Sequence, residues 1–220
     1  SAVVRGHAKQ AAWTLPAAIL NAVLYQGQVG LAGLVAGLTG AGGMRAAITL
    51  VMPVGQLSAA LNSYYLPRLS AAGLQGRASY AKTKLHYAAA IVGTAVAYAM
   101  IAMQIRDPFY RTLYGGNYWE FRALFPLLAV TSIPMSLITV QQAALQAEGR
   151  FSRILGAALA GFVVAAPLMA LAATTRRPAL IVCAVLAGYV VYAIATFNVF
   201  NWGTEPKGAH TMRTTEEVES

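Results

Sequence analysis

Six apolar stretches, each about as long as a membrane-spanning helix, follow one another along the chain. A bilayer core needs about 20 mostly apolar residues per helix. The stretches that meet this length are residues 12–34, 45–66, 85–105, 121–145, 154–173 and 180–201. The segments between them contain glycine, proline or charged residues, as is typical of loops. The pattern therefore predicts an all-α, polytopic membrane protein with six transmembrane helices.

The same pattern divides the chain into three parts. We expect residues 1–11 to form a cytoplasmic segment that leads into the membrane. Residues 12–201 are expected to form one six-helix transmembrane lobe. Residues 202–220 are polar and end in TTEEVES, which is typical of a disordered tail, and we place this tail in the cytoplasm.

Polar residues recur at helical spacing within three of these stretches. Residues three, four and seven positions apart share one face of a helix. The stripes are Thr14, Asn21, Tyr25 and Gln28 in the first stretch, Arg45, Thr49, Gln56 and Ser63 in the second, and Ser132, Ser136, Thr139 and Gln142 in the fourth. Amides and hydroxyls that face lipid are costly, because no water is there to bond them.

The stripes therefore predict a wet cavity between the first, second and fourth helices. The residues expected to line it are Asn21, Tyr25, Gln28, Arg45, Thr49, Gln56, Ser63, Ser136 and Gln142. The alternative is hydrogen bonding between packed helices, worth about 0.6 kcal/mol on average, which suits isolated residues such as Ser58 and Asn62. For Arg45 the alternative is a side chain that extends to the membrane surface from a helix end.

Two prolines inside the polar helices, Pro53 and Pro134, are predicted hinges. A proline in a helix interior removes one backbone hydrogen bond and bends the helix. Such breaks persist in membranes where neighbouring groups or cavity water satisfy the freed carbonyl. A static kink that improves packing is the alternative.

Composition supports lipid as the main solvent. Charged residues make up 10% of the chain and hydrophobic residues 58%, whereas a typical soluble domain is about 25% charged. The net charge is +9, and ten of the sixteen Lys and Arg residues fall on the side that holds both ends of the chain. Because cytoplasmic loops are enriched in Lys and Arg, both ends are predicted to be cytoplasmic. Since the positive charges occupy loops on both sides, we expect no nucleic-acid partner.

The chain lacks the residue patterns of common membrane enzymes. There is no GxSxG motif with a usable histidine, no HExxH motif and no aspartate pair for metal-assisted phosphotransfer. The one cysteine, Cys183, and the three histidines do not form a metal-ligand pattern. All seven acidic residues fall in predicted loops, span ends or the tail, so no general base is expected inside the membrane. We therefore expect no enzyme activity, no metal and no cofactor.

Three segments carry a family resemblance. VMPVGQLSAALNSYYLPRLSAAG resembles the second helix of the carboxy-terminal half of flippases that export lipid-linked sugars, with Pro53 early in the helix and PRLS at its end. TLYGGNYWEFRALFPLLAV resembles the family's extracytoplasmic LYG-x-x-Y segment before the fourth helix of that half. QQAALQAEGRFSRILGAAL resembles the cytoplasmic turn that follows. The resemblance covers about residues 10–200.

This resemblance implies one lobe of a two-lobe transporter in the multidrug/oligosaccharidyl-lipid/polysaccharide exporter superfamily. The lipid II flippases of the superfamily typically carry an arginine five residues before the helix proline, where this chain has Ile48. That difference favours the O-antigen or exopolysaccharide (Wzx-type) branch. The implied function is alternating-access export of undecaprenyl-pyrophosphate-linked oligosaccharide across the bacterial inner membrane, for lipopolysaccharide or exopolysaccharide biosynthesis.

The resemblance also implies partners and residue roles. The expected partners are the lipid-linked oligosaccharide, membrane lipid and the missing amino-terminal lobe of the same protein. The amides and hydroxyls of the stripes would bind sugars, and Arg45 would attract the pyrophosphate. Two alternatives remain: a cation-coupled multidrug extruder of the same superfamily, and a membrane scaffold subunit that transports nothing.

Overall fold

Five long helices make up almost all of the part of the chain that the structure describes. The structure, a computed structural model, describes the backbone of residues 2–198 and the side chains of residues 11–197. The helices are α1 (Ala2–Gln75), α2 (Arg77–Tyr114), α3 (Leu124–Ala147), α4 (Phe151–Thr174) and α5 (Pro178–Asn198), and a 3-10 turn at Trp119–Phe121 precedes α3. No strand occurs within these limits, so the all-α prediction is confirmed for them. The tail predicted at residues 202–220 lies outside the described residues.

All five helices are long and apolar enough to cross a membrane. This finding agrees with the membrane location expected from the composition. The helices are longer than the predicted spans, and α2 alone has 38 residues, or about 57 Å of helix against a bilayer core of about 30 Å. Hydropathy marks only the part of a helix that lies in lipid. Helical hydrogen bonding continues beyond it, into residues that the sequence analysis had placed in loops.

The first two apolar stretches both lie in α1, which reverses direction between them. The backbone leaves helical geometry at Ala36 (φ −127°, ψ 18°) and Gly37 (φ 66°, ψ −162°). A Cβ atom on Gly40 would lie 2.5 Å from the carbonyl oxygen of Ala32, whereas eight residues of straight helix span about 12 Å. Gly37 permits the turn because glycine adopts positive φ without steric cost. We refer to residues 2–35 and 38–75 as the first and second segments of α1.

Tyrosines of α2 supply hydrogen bonds to the second segment of α1. Pro53 lies in this segment and has no N–H to donate to the preceding turn. The Tyr98 hydroxyl donates to the carbonyl oxygen of Leu50, and the Tyr114 hydroxyl donates to that of Ala46 at 3.2 Å. These bonds hold α2 against the segment and provide donors to carbonyls on the amino-terminal side of the proline.

α4 and α5 approach each other closely at two glycines. A Cβ on Gly161 of α4 would lie 2.7 Å from the carbonyl oxygen of Gly188 in α5. A Cβ on Gly188 would lie 2.5 Å from the Ala165 Cβ. The two helices therefore pack backbone to backbone, as is typical of glycine contacts in membranes. This pair packs against α1 and α3, and α2 packs against α1 and α3 elsewhere.

Candidate substrate groove

A groove with a volume of about 610 Å³ lies between the two segments of α1 and α3 and is open along one side. Its polar lining consists of Tyr25, Gln56, Ser58, Asn62, Ser132, Ser136 and Thr139. Its apolar lining consists of Val51, Met52, Val54, Gly55, Ala59 and Met135. The groove is thus built by the three helical segments that carry the polar stripes in the sequence.

The nine predicted cavity residues occupy three different environments. Those that line the groove are Tyr25, Gln56 and Ser136. Those on the exposed face of the second segment of α1, outside the groove lining, are Arg45, Thr49 and Ser63. Those that point into the protein interior or are partly buried against other helices are Asn21, Gln28 and Gln142.

Two of the three interior amides connect helices to one another. The Gln142 Nε2 donates to the Tyr192 hydroxyl at 2.6 Å, and Asn21 hydrogen-bonds with the same hydroxyl. This buried set joins α1, α3 and α5. Gln28 is fully buried, and its Nε2 is 3.4 Å from the carbonyl oxygen of Tyr25. The contacts of Asn21 and Gln142 are those of packed helices, whereas Gln28 bonds only within its own helix and its buried Oε1 has no partner among the described residues.

Several stripe hydroxyls bond to carbonyls of their own helix. The Thr49 hydroxyl donates to the Arg45 carbonyl at 2.9 Å, and the Ser63 hydroxyl donates to the Ala59 carbonyl at 3.0 Å. Each bond spans one helical turn and occupies the single hydrogen of the hydroxyl. Because the hydrogen is already bonded, these two side chains do not need a wet cavity to satisfy them.

Gln56 differs from the hydroxyls. Its side chain is exposed, lines the groove and makes no hydrogen bond to any described residue. A primary amide has two donor hydrogens and an acceptor oxygen, and leaving them unmet in hydrocarbon costs several kcal/mol, roughly. Gln56 therefore indicates water or a polar ligand in the groove more strongly than any hydroxyl does.

Arg45 lies near the groove and has no acidic partner in the part of the chain that the structure describes. It is exposed, forms no ion pair within residues 11–197 and is close enough to the Tyr25 hydroxyl to interact with it electrostatically. A guanidinium in a membrane protein requires a counter-charge or water. Arg45 is therefore available to an anion that approaches the Tyr25 end of the groove.

The two predicted hinge prolines lie within regular helix. Pro53 is exposed in the second segment of α1, and Pro134 is buried in α3. Within α1, non-helical dihedral angles occur only at Ala36 and Gly37. The hinge role of both prolines stays a prediction, and the structure adds Gly37 as the point where the chain bends.

A buried charged cluster joins α2, α3 and the turn before α4, and the sequence analysis missed it. Lys84 is only 2% exposed, and its Nζ donates to Gln141 Oε1 at 3.1 Å. The Glu148 side chain is also 2% exposed; its Oε1 accepts from the Tyr80 hydroxyl at 3.2 Å, and its Oε2 lies 3.2 Å from Arg150 Nη1. Lys84 and Glu148 had been assigned to loops. The four-residue spacing of Tyr80 and Lys84 on one helix face was the available signal.

Burial raises the pKa of the Glu148 carboxyl above its usual value. This rise in pKa is reduced, but not cancelled, by the positive charges of Arg150, Lys84 and Arg153 and by the hydrogen bond from Tyr80. A folded-state pKa above the unfolded value means that the folded protein binds the proton more tightly. The stability that this adds is present below the usual carboxyl pKa and is lost as the pH rises through the folded-state pKa.

Glu148→Gln is expected to remove this part of the pH dependence, because the amide does not titrate. As the pH rises from about 4 to about 8, the wild type should lose thermal stability relative to the variant. The measurement is the melting temperature of both proteins in one detergent across that range. Gln146→Ala, which removes a neutral side chain next to the same turn, should differ from the wild type by an amount independent of pH. The melting temperature of Glu148→Gln minus that of the wild type should grow with pH. A difference that stays constant would contradict the buried position of Glu148.

Comparisons with protein-family models, with curated proteins and with solved structures found no match to this chain.

Proposed function

We propose that this chain forms one lobe of a Wzx-type exporter that moves undecaprenyl-pyrophosphate-linked oligosaccharides across the bacterial inner membrane. In this proposal each segment of α1 crosses the bilayer once, which gives six crossings with α2 to α5 and leaves both ends in the cytoplasm. The exported oligosaccharide serves O-antigen or exopolysaccharide synthesis. An amino-terminal lobe closes the open side of the groove, and the two lobes alternate access between the two sides of the membrane.

The observation that carries the proposal is an open groove on a membrane protein that presents an amide, Gln56, with no hydrogen-bond partner among the described residues. Its volume of about 610 Å³ falls within the range of about 300–1,000 Å³ that is typical of ligand pockets. Amides and hydroxyls are the groups that bond neutral sugars, and three segments of the fold bring them to one surface. A scaffold subunit would have no need for such a surface.

The surroundings of the groove suit the two other parts of the substrate. Arg45 is exposed and without an ion pair in the described structure, so it supplies positive charge for a pyrophosphate. Exposed apolar side chains such as Met52 and Leu57 lie on the same helical segment. In the proposal the sugars occupy the groove, the pyrophosphate lies near Arg45 and the polyprenyl tail remains in the bilayer.

Gln56→Ala and Arg45→Ala are expected to reduce glycan export. The amide contributes hydrogen bonds of about 0.5–1.5 kcal/mol, which corresponds to a loss of about twofold to twelvefold. A charged contact is worth about 1.5–3 kcal/mol, so Arg45→Ala should cost tenfold or more, roughly. The measurement is the amount of surface glycan in cells whose export depends on this protein, normalised to its level in the membrane.

Matched substitutions outside the groove serve as controls. Gln26→Ala removes an exposed amide from the first segment of α1, and Arg177→Ala removes an exposed guanidinium from the turn between α4 and α5. Both should export at the wild-type level. Wild-type export by both Gln56→Ala and Arg45→Ala, at equal protein levels, would contradict the roles assigned to these residues.

A multidrug extruder of the same superfamily is the second candidate. Two methionines, Met52 and Met135, line the groove, and methionine adapts to varied apolar ligands. This candidate predicts that the protein lowers the accumulation of a lipophilic cation such as tetraphenylphosphonium. Cation efflux without any effect on surface glycan would favour it over the flippase.

A further inference from the structure

The amide of Asn62 lines the groove in an orientation that Tyr87 of α2 fixes. The Tyr87 hydroxyl donates to Asn62 Oδ1 at 2.9 Å. The Tyr87 ring is fully buried and stacks on the ring of Tyr65, with 4.9 Å between centroids and 18° between planes. The hydroxyl hydrogen has no other acceptor among the described residues, so the oxygen of the amide is the atom that faces it. This leaves Asn62 Nδ2 as a hydrogen-bond donor with no partner in the described part of the chain.

Two hydroxyls on the α3 wall of the groove offer acceptors. The Thr139 hydroxyl donates to the Met135 carbonyl at 2.9 Å, and the Ser132 hydroxyl donates to the Ala129 carbonyl at 2.5 Å. A hydroxyl has one hydrogen, so once it is bonded within the helix only the oxygen lone pairs remain for a ligand. Ser136, also on α3, forms no hydrogen bond with a described residue and keeps its hydrogen to donate, and Gln56 on α1 can both donate and accept. The groove thus presents donors and acceptors together, and no charged residue is among its lining.

We infer that Tyr87 is a positioning residue for ligand binding, and that the groove binds uncharged hydroxyl groups which accept from Asn62 and donate to Ser132 and Thr139. This inference rests on the proposed function and narrows it. Neutral, polyhydroxylated sugar units occupy the groove, and the ionic groups of the glycolipid stay outside it.

Only a group that both donates and accepts can bond to Asn62 and also to Ser132 and Thr139. A sulfate or phosphate accepts from Asn62 but meets only lone pairs at Ser132 and Thr139. A quaternary ammonium has no N–H to donate and leaves the Asn62 donor unmet. Either ion would also lose solvation without a counter-charge from the lining, which is costly in a water-poor site. A sugar hydroxyl avoids all of these penalties.

The test measures protection of a thiol in the groove. Ser58→Cys, combined with Cys183→Ala, places a single thiol in the groove lining of the intact protein in membrane vesicles. Its reaction rate with a water-soluble maleimide is followed with three probes that share one alkyl chain: octyl glucoside, octyl sulfate and octyltrimethylammonium, each below its micellar concentration. Octyl glucoside is expected to slow the reaction, and the two ionic probes are not.

Two tyrosine substitutions separate positioning from packing. Tyr87→Phe keeps the stacked ring and removes the bond to Asn62, so the glucoside concentration for half-protection should rise about threefold to tenfold. Tyr65→Phe keeps the same stack and removes a hydroxyl that forms no hydrogen bond with a described residue, so it should leave that concentration unchanged. Asn62→Leu removes the donor itself and should raise the glucoside concentration for half-protection at least as much as Tyr87→Phe does. It also tests the inference if Tyr87→Phe does not accumulate.

The outcomes distinguish this inference from the proposed function. A thiol at position 58 that does not react in the absence of any probe would contradict the wet groove, and with it the proposed function. A reactive thiol protected equally by all three probes would overturn the inference that the groove prefers uncharged hydroxyl groups. It would leave the conclusion that the groove is wet unchanged. Protection by the ammonium probe alone would overturn the same inference and would indicate that the groove binds lipophilic cations. Equal effects of Tyr87→Phe and Tyr65→Phe would overturn the positioning role.

Discussion

Gly188→Leu is expected to prevent α4 and α5 from packing and to leave little folded protein. A Cβ at this position would already lie 2.5 Å from the Ala165 Cβ and 2.9 Å from the Gly161 carbonyl oxygen. Both neighbours, a backbone oxygen and a first side-chain carbon, are fixed by the backbone, so they cannot rotate away. One methyl group forced into a packed core costs about 1–3 kcal/mol, and leucine adds three further carbons to the same space, so the loss should approach the total stability of about 5–15 kcal/mol. The measurement is the yield of monodisperse protein in detergent and its melting temperature.

Two further variants make this prediction specific. Gly188→Ala should be destabilised by about 1–3 kcal/mol, and adding Ala165→Gly should recover part of that loss by removing the closest atom. Gly156→Ala, on the same helix as Gly161 but with open space around its Cβ, should match or exceed the wild type, since alanine is the better helix former. Wild-type stability of Gly188→Leu would show that the two helices are farther apart than described.

Gly43→Ala is expected to displace Phe121 and loosen the loop between α2 and α3. A Cβ on Gly43 would lie 2.2 Å from Phe121 Cδ2 and 2.4 Å from its Cγ. Because Cγ joins the ring to Cβ and lies on the axis of ring rotation, rotating the ring does not remove the overlap. We expect a loss of about 1–3 kcal/mol, as for other overpacked cores. Thermal unfolding in detergent gives the global effect.

The fluorescence of Trp119 reports the local effect of Gly43→Ala. Trp119 begins the 3-10 turn that ends at Phe121, and the guanidinium of Arg122 lies 4.4 Å from its ring centroid. With the other two tryptophans replaced by phenylalanine, its emission should shift in Gly43→Ala. Phe121→Leu in the same protein should restore part of the stability by vacating the space. Gly30→Ala in α1, where a Cβ meets nothing within 4 Å, should change neither measurement.

The predicted polar stripes show what a periodic pattern conveys and what it omits. The spacing identified α1 and α3 as the helices with polar faces, and both line the groove. The spacing did not distinguish a hydroxyl that bonds its own helix, such as Thr49, from an amide with no partner among the described residues, such as Gln56. Nor did it separate Gln142, which bonds across to Tyr192, from the groove residues. All of these side chains read as one polar class in the sequence, because their partners lie on other helices or one turn away.

The roles of the glycines were likewise not marked in the sequence. Gly161 and Gly188 lie in helices that are apolar throughout, and nothing in their local sequence marks them as a contact between α4 and α5. Gly37 lies in a glycine-rich segment that reads as a loop, and the chain does turn there, yet helix resumes at once on its far side. Whether a glycine serves as a turn, a helix contact or an open surface position depends on the atoms around it.

The sequence by itself determined that this protein is helical and that it has long apolar helices suited to a membrane. Both properties follow from hydropathy and from the 3.6-residue period, which are local and need no knowledge of neighbouring helices. Only the tertiary structure decided which polar groups meet: Asn62 with Tyr87, Gln142 with Tyr192, and Lys84 with Gln141 beside a buried Glu148. Those pairings depend on how each helix is rotated about its axis and on which helices become its neighbours. Contacts between residues far apart in the chain set both, and a single sequence does not record them.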